Sequence, residues 1–146
     1  MNVFEEWNQS TTFERSVAAS ELYVLLTNEF RAKEGKPLVA YDERLAKAAF
    51  EHSKDMGVNN YFSHTSFDGR SLGDRVWALC SSCTAIGENI AANQMNVFLA
   101  HHGWINSPGH RSNMLNDRYT HIGFGLYYSA TASYNRFYTT NFGQIR

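Results

Sequence analysis

The sequence predicts an α+β layered domain, and three observations carry that reading. Apolar residues recur at helical spacing along the first part of the chain, aromatic side chains gather after Phe98, and the chain ends in two apolar runs joined by a loop of Ser, Ala, Thr and Asn. Helices first and strands last favour a small antiparallel sheet with helices over both faces. At 146 residues the chain has the size of one domain and would bury about two thirds of its unfolded surface, so one core is expected.

Residues 1–15 read as an N-terminal arm, polar at its start and loosely held, and residues 16–146 as the single domain. From Ser16 to Lys33, Ala18, Leu22, Leu25 and Leu26 fall at helical spacing, Glu29 continues that face, and Gly35 and Pro37 end the helix. Asp42 is a good N-cap for a second helix, in which Leu45, Ala48, Ala49, His52 and Met56 share one stripe before Gly57 closes it. His52 therefore points inward, where a hydrogen-bonded core histidine is favoured over a ligand. Asn59 to Gly69 reads as an ordered loop with an Asp68-Gly69 turn, followed by a short helix from Ser71 to Leu79. Ile86 to Ala92 is short and extended. Val97, Phe98, His101, Trp104 and Ile105 make Gln94 to Asn106 helical, and Pro108-Gly109 stops it. His121 to Tyr128 and Arg136 to Phe142 are the two antiparallel strands.

Acids and bases are mixed and the formal net charge is -1, so bulk electrostatics favours neither a nucleic acid nor an anionic membrane as partner. No apolar run reaches the roughly 20 residues needed to cross a bilayer. Met1 to Trp7 lacks the basic and apolar regions of a signal peptide, so an exported protein is expected to have lost its signal before this start. Cys80 and Cys83 make one Cys-x-x-Cys that follows a helix, unlike a thioredoxin motif at a strand-to-helix junction. A zinc ribbon would need a second pair. A short structural disulfide between Cys80 and Cys83 is favoured over two free thiols.

A series of short words then follows in order: Leu26-Thr27-Asn28-Glu29 with Arg31, Leu45-Ala46-Lys47-Ala48-Ala49, His52-Ser53 with Met56, Tyr61-Phe62-Ser63-His64 with Asp68-Gly69, Gly87-Glu88-Asn89-Ile90-Ala91, Trp104 with Ser107-Pro108-Gly109-His110-Arg111, Asn113-Met114-Leu115, His121-Ile122-Gly123-Phe124-Gly125, and Thr140-Asn141-Phe142-Gly143. Jointly, in this order and spacing, they are specific. From roughly Ser20 to Gly143 the chain resembles the bacterial type of the CAP superfamily, the SCP-like domain of cysteine-rich secretory proteins, antigen 5 and pathogenesis-related proteins.

The resemblance implies a three-layer α-β-α sandwich, a place outside the cytosol or at the cell surface, and a central cleft built around two histidines and two acids. His64 matches the first histidine, Glu88 the acid of the Gly-Glu-Asn word and His110 the second histidine. The position of the second acid in many eukaryotic relatives is Ser107, beside Asn106, so chemistry that needs paired carboxylates is not supported. The expected cleft is thus His64, Glu88, Asn89, Asn106, Ser107 and His110. His64 and His110 could hold Zn2+ or another divalent metal, with Glu88 orienting one imidazole rather than ligating; no organic cofactor is expected.

Binding of an extracellular ligand or protein is the favoured function. A metal-dependent, peptidase-like hydrolase using Glu88 and Ser107 is the runner-up, although no Gly-x-Ser-x-Gly elbow or His-Glu-x-x-His helix is present. A third class is carriage of lipids or sterols along the aromatic C-terminal part, weighed against the commoner fate of such side chains as core. His101 and His102, adjacent on a helix, face different directions, and with His121 they read as surface, partly buried or structural residues. Asn28 and Arg31 read as solvated or as ties to a neighbouring loop.

Overall fold

The computed structural model describes residues 9–146. Among them the elements run α1 (Phe13–Lys33), β1 (Ala40–Tyr41), α2 (Glu43–Asn59), α3 (Leu72–Leu79), β2 (Cys83–Ala92), α4 (Val97–Ile105), α5 (Pro108–Leu115), β3 (His121–Tyr128) and β4 (Arg136–Ile145). The sheet order is β1-β3-β4-β2. Its three long strands are antiparallel, and β1 adds a two-residue parallel edge beside β3. So short a strand carries no alternation to read, which is why the sequence did not announce it.

The fold is the α-β-α sandwich. On one face α1, α4 and α5 bring Tyr23, Trp104 and Met114 against Ile122, Phe124 and Tyr138 of the sheet in one apolar cluster. On the other, Leu45 and Met56 of α2 and Val76 of α3 pack over Cys83, Ile90 and Phe137. Strand alternation divides β3 between the two layers. Ile122, Phe124 and Leu126 face the first. Gly123 and Gly125 face α2, where an added Cβ would lie 1.9 Å from the Ala46 nitrogen and 2.2 Å from the Phe50 nitrogen. The helix backbone rests directly on those two glycines.

Side chains cap the outward groups of the sheet margins, which would otherwise be unsatisfied once buried. Ser20 and Ser16 of α1 accept the Phe124 and Leu126 N–H groups at 3.1 and 3.0 Å. On β2, Trp104 Nε1 donates to the Ile90 carbonyl at 3.0 Å and Asn113 Nδ2 to the Glu88 carbonyl at 3.3 Å.

Several boundaries differ from expectation. Helix α1 starts at Phe13 with Thr12 as N-cap, so the end of the expected arm is helical. Ser10 is buried and its carbonyl accepts from the Tyr128 N–H at 2.7 Å; residues 1–8 of the arm lie outside the described residues. Helix α2 passes through Gly57 and ends on Asn60, which takes the left-handed cap conformation at φ 52°. Helix α4 begins after Asn96, whose side chain caps Leu99. Pro108-Gly109 opens α5 instead of merely ending α4, because proline at the first helical position gives up an N–H that has no intrahelical partner. Strand β2 begins at Cys83, ahead of Ile86, and β4 runs on to Ile145. Cys80 and Cys83 form a disulfide between the end of α3 and the start of β2.

Candidate functional site

Glu88 and Asn89 sit side by side on β2, so they point to opposite faces of the sheet. Glu88 pairs in register with Asn141 and faces the α2 and α3 layer. Its side chain is 1% exposed and meets Arg75 of α3, with Nη1 at 2.8 Å from Oε2 and Nη2 at 3.2 Å from Oε1. The Asn141 amide, its nitrogen turned to the carboxylate, donates to Oε2 at 2.9 Å and accepts from the Ala49 N–H at 3.1 Å. Burial pushes the Glu88 carboxyl up, but hydrogen bonds from His64 and Arg75 and the guanidinium charge outweigh it and hold the group below its ordinary value.

His64 stands on the loop between α2 and α3. Its Nδ1 lies 2.9 Å from Glu88 Oε1, and Arg75 Nη2 donates to its carbonyl at 2.6 Å. An ionised carboxylate only accepts, so Nδ1 carries the hydrogen. Arg75 was not singled out from the sequence. The available signal was its place with Leu72, Val76 and Leu79 at helical spacing, a cation set into an apolar stripe.

On the opposite face, Asn89 Nδ2 donates to the His110 carbonyl at 3.1 Å, and Asn113 Nδ2 donates to Asn89 Oδ1 at 2.9 Å. Ser107 is the N-cap of α5 yet makes no capping bond. Its hydroxyl is 2.9 Å from His110 Nδ1 instead. Burial foremost, and then the electrostatic influence of His64, lowers the His110 pKa.

A cavity of about 390 Å3 opens beside His110, floored by Ile90 and Ala92 and flanked by Trp104 and Ser107, with Phe62 and Tyr134 at its rim. His64, its side chain 57% exposed, is not among the lining residues. Neither is Asn106, which is exposed and turned back to the His102 ring and carbonyl at 3.0 and 2.9 Å. Among the described residues no group of three or more His, Cys, Asp or Glu side chains is placed to hold a metal ion. Glu88 is occupied as an orienting group.

The remaining candidates fall away from this cleft. His52 is buried with Nε2 at 2.7 Å from the Ser63 carbonyl. His101 packs edge-on to Tyr23 and Phe30, His102 is exposed, and His121 Nδ1 meets Thr120 Oγ1. Asn28 clasps the Val39 backbone through both amide atoms, and buried Arg31 donates to the carbonyls of Pro37, Met114 and Asn116. Phe124, Phe137, Tyr138 and Phe142 are core.

The model of the cysteine-rich secretory protein family, CAP, matches residues 24–142. The chain belongs to the CAP family. Two curated relatives from Bacillus subtilis (strain 168) accompany this CAP domain: the uncharacterized membrane protein YlbC, 40% identical over 94% of this chain and 36% of its own length, and the uncharacterized protein YkwD, 41% identical over 83% and 48%. The chain therefore spans between about a third and a half of the curated relatives it matches. A crystal structure of an extracellular protein containing an SCP domain, from Bacillus anthracis, has a TM-score of 0.78 and 39% identity over 89% of this chain and 41% of that one. An outer surface protein of Borrelia burgdorferi shares the fold, with a TM-score of 0.76 at 23% identity over 86% and 92% of the two chains. No helix of the described residues is long and apolar enough to cross a membrane.

Proposed function

We propose that this CAP domain works outside the cytosol or at the cell surface as a binding module, with the β2-edge cleft as its ligand site and His64 and His110 as ligands for a divalent cation such as Zn2+. The observation that carries the reading is the hydrogen bond of each ring through Nδ1, His64 to Glu88 and His110 to Ser107. Nδ1 is engaged on each ring, so Nε2 is the nitrogen open to a cation, the arrangement that outer-shell oxygen partners impose on metal-binding histidines; at His110 it requires the ring to donate to the Ser107 hydroxyl. A bound cation would offer its remaining positions to an oxygen or nitrogen of the ligand. The resemblance to an extracellular SCP-domain protein supports the location. Calorimetric zinc titration of the wild type, His64→Ala and His110→Ala tests it. Heat in the wild type and its loss in both variants is expected; equal heats in all three would overturn the metal role.

The contact between Ser107 Oγ and His110 Nδ1 at 2.9 Å favours a second reading, a hydrolase with Ser107 as nucleophile and His110 as base. Against it, Glu88 spends both oxygens on Arg75, His64 and Asn141 and is not available to orient His110. A fluorophosphonate probe, with and without zinc, is expected to leave Ser107 unlabelled. Labelling that disappears in both Ser107→Ala and His110→Ala would replace binding with turnover.

A further inference from the structure

The cleft beside His110 runs along an open strand edge. β2 is the last strand of the sheet, and the consecutive residues Ile90 to Gln94 at its end line the cavity. Directly opposite residues of an antiparallel pair alternate between bonded and unbonded positions. The Asn93 N–H donates to the Arg136 carbonyl at 2.9 Å, so Ala92, opposite Phe137, is an unbonded position whose N–H and C=O point away from β4. The same alternation turns out the carbonyls of Glu88 and Ile90, and each is capped, by Asn113 Nδ2 and Trp104 Nε1. The Gln94 carbonyl is taken by the Tyr138 hydroxyl at 2.7 Å. Among the described residues no partner meets the N–H or the C=O of Ala92. The capping stops where the cavity opens.

A donor and an acceptor on one residue of an edge strand are matched by one residue of an extended chain, which returns both bonds as a bonded pair. The capped Ile90 carbonyl on one side and the left-handed turn at Asn93, φ 79°, on the other confine such pairing to a short stretch. A residue paired with Ala92 projects its side chain to the same face of the sheet as Ala92 does. That face holds Ile90 and Phe137 in one apolar cluster with Ala92, and Tyr134 stands edge-on to Phe137 with ring centroids 6.3 Å apart. Phe62 and Tyr134, at the rim of the cavity, are 47% and 42% exposed and have area left to cover. We infer that the cleft receives a short extended peptide, which adds to the β2 edge at Ala92 and lays an apolar or aromatic side chain against Phe62 and Tyr134. The inference rests on the reading of this cleft as the ligand site and adds the class of ligand.

Amide 1H–15N spectra of the intact chain test this, because an N–H that gains a hydrogen bond moves downfield. The probe is the capped peptide acetyl-Ser-Phe-Ser-amide, compared with the same peptide methylated on the Phe nitrogen, with acetyl-Ser-Ala-Ser-amide and with the neutral trisaccharide chitotriose. The Phe peptide is expected to move the Ala92 amide downfield saturably. Methylation, which removes the hydrogen offered to the Ala92 carbonyl, should weaken binding by about tenfold or more, and the Ala peptide by about tenfold. Ala92→Pro deletes the outward N–H while leaving the β4 ladder its bonds. It should abolish the response of the Trp104 indole signal to the Phe peptide while the remaining spectrum stays native. An Ala92 amide that does not move, equal binding of the methylated peptide, or tighter binding of chitotriose would each overturn the inference. Zinc calorimetry reads the cation separately. Heat lost in His64→Ala and His110→Ala with Ala92 unmoved by peptide would leave the cation and remove the peptide, and the converse pattern would do the reverse.

Discussion

Glu88 and Asn89 anchor the two histidines from opposite faces of one edge strand: Glu88 Oε1 holds the His64 ring at 2.9 Å, and Asn89 Nδ2 holds the His110 carbonyl at 3.1 Å. The pleat of a strand makes this possible with adjacent residues. It also ties the cleft to β2 register, since a slip of one residue would exchange the faces.

Asn89→Ala should therefore disturb the His110 side alone. It removes the bond to the His110 carbonyl and strips Asn113 of its Asn89 Oδ1 partner. The expected loss is about 1–3 kcal/mol of stability, read from urea unfolding. Ring-nitrogen shifts of His64 should remain at their wild-type positions, and a comparable change at both histidines would contradict separate anchoring.

Arg75→Met leaves the Glu88 carboxylate buried without its cation. Breaking such a pair costs about 3–5 kcal/mol, whereas replacing both partners by apolar groups is far milder. The double variant Arg75→Met with Glu88→Leu should recover most of the loss. The pH dependence carries the same signature. In the wild type the Glu88 carboxyl lies below its ordinary 4.5, so its stabilisation is complete above that value and is lost as pH falls through the folded pKa. Without Arg75 burial dominates and raises the carboxyl, so the deficit of the single variant should shrink on acidification. A deficit constant from pH 7 to pH 4 would refute the clamp.

His101 adds a second acid-sensitive group. Burial, opposed by Glu29 and aided by His102, lowers its pKa to about 4. The unfolded chain takes up a proton near pH 6.5 and the folded chain resists until about 4, so stability is lost as pH falls across that window. His101→Leu should flatten the thermal-midpoint profile there. An unchanged slope would remove His101 as the cause.

Most of the fold was legible because its signals are periodic. The α2 stripe from Leu45 to Met56, the capping Asp42 and Ser71, and the Ile-Gly-Phe-Gly-Leu run of β3 all carry local pattern. His64, Glu88 and His110 were legible only through the words that carry them. What was missed is non-local: the stripe turns Arg75 inward, but only β2, 13 residues away, supplies the carboxylate that it meets there. Asn106 went the other way, since a side chain at a helix end can turn to its own last carbonyls as readily as to a cleft.

Gly125→Ala probes the contact between layers. The new Cβ would lie 2.2 Å from the Phe50 nitrogen, a backbone atom that cannot rotate aside. Helix α2 would have to lift from β3, taking the Ser53 bond to the Gly125 carbonyl with it. A loss above about 3 kcal/mol, or failure to accumulate folded protein, is expected. Gly103→Ala, with open space around the new Cβ, is the matched control and should fold normally.

The disulfide makes the last prediction. It closes a very short loop, so the entropy it removes from the unfolded chain corresponds to only about 2 kcal/mol. Its position gives it a second effect, because it joins the end of α3, which carries Arg75, to the start of β2, which carries Glu88. Trp77 Nε1, donating to the Cys83 carbonyl at 2.7 Å, bridges the same junction without the sulfurs. Cys80→Ala with Cys83→Ala should therefore lower stability by about 2 kcal/mol while the His64 nitrogen shifts stay native. Adding Trp77→Phe should then loosen α3 from β2 and move them. If removing the cysteines alone displaced His64, the bridge from Trp77 would not be holding the clamp.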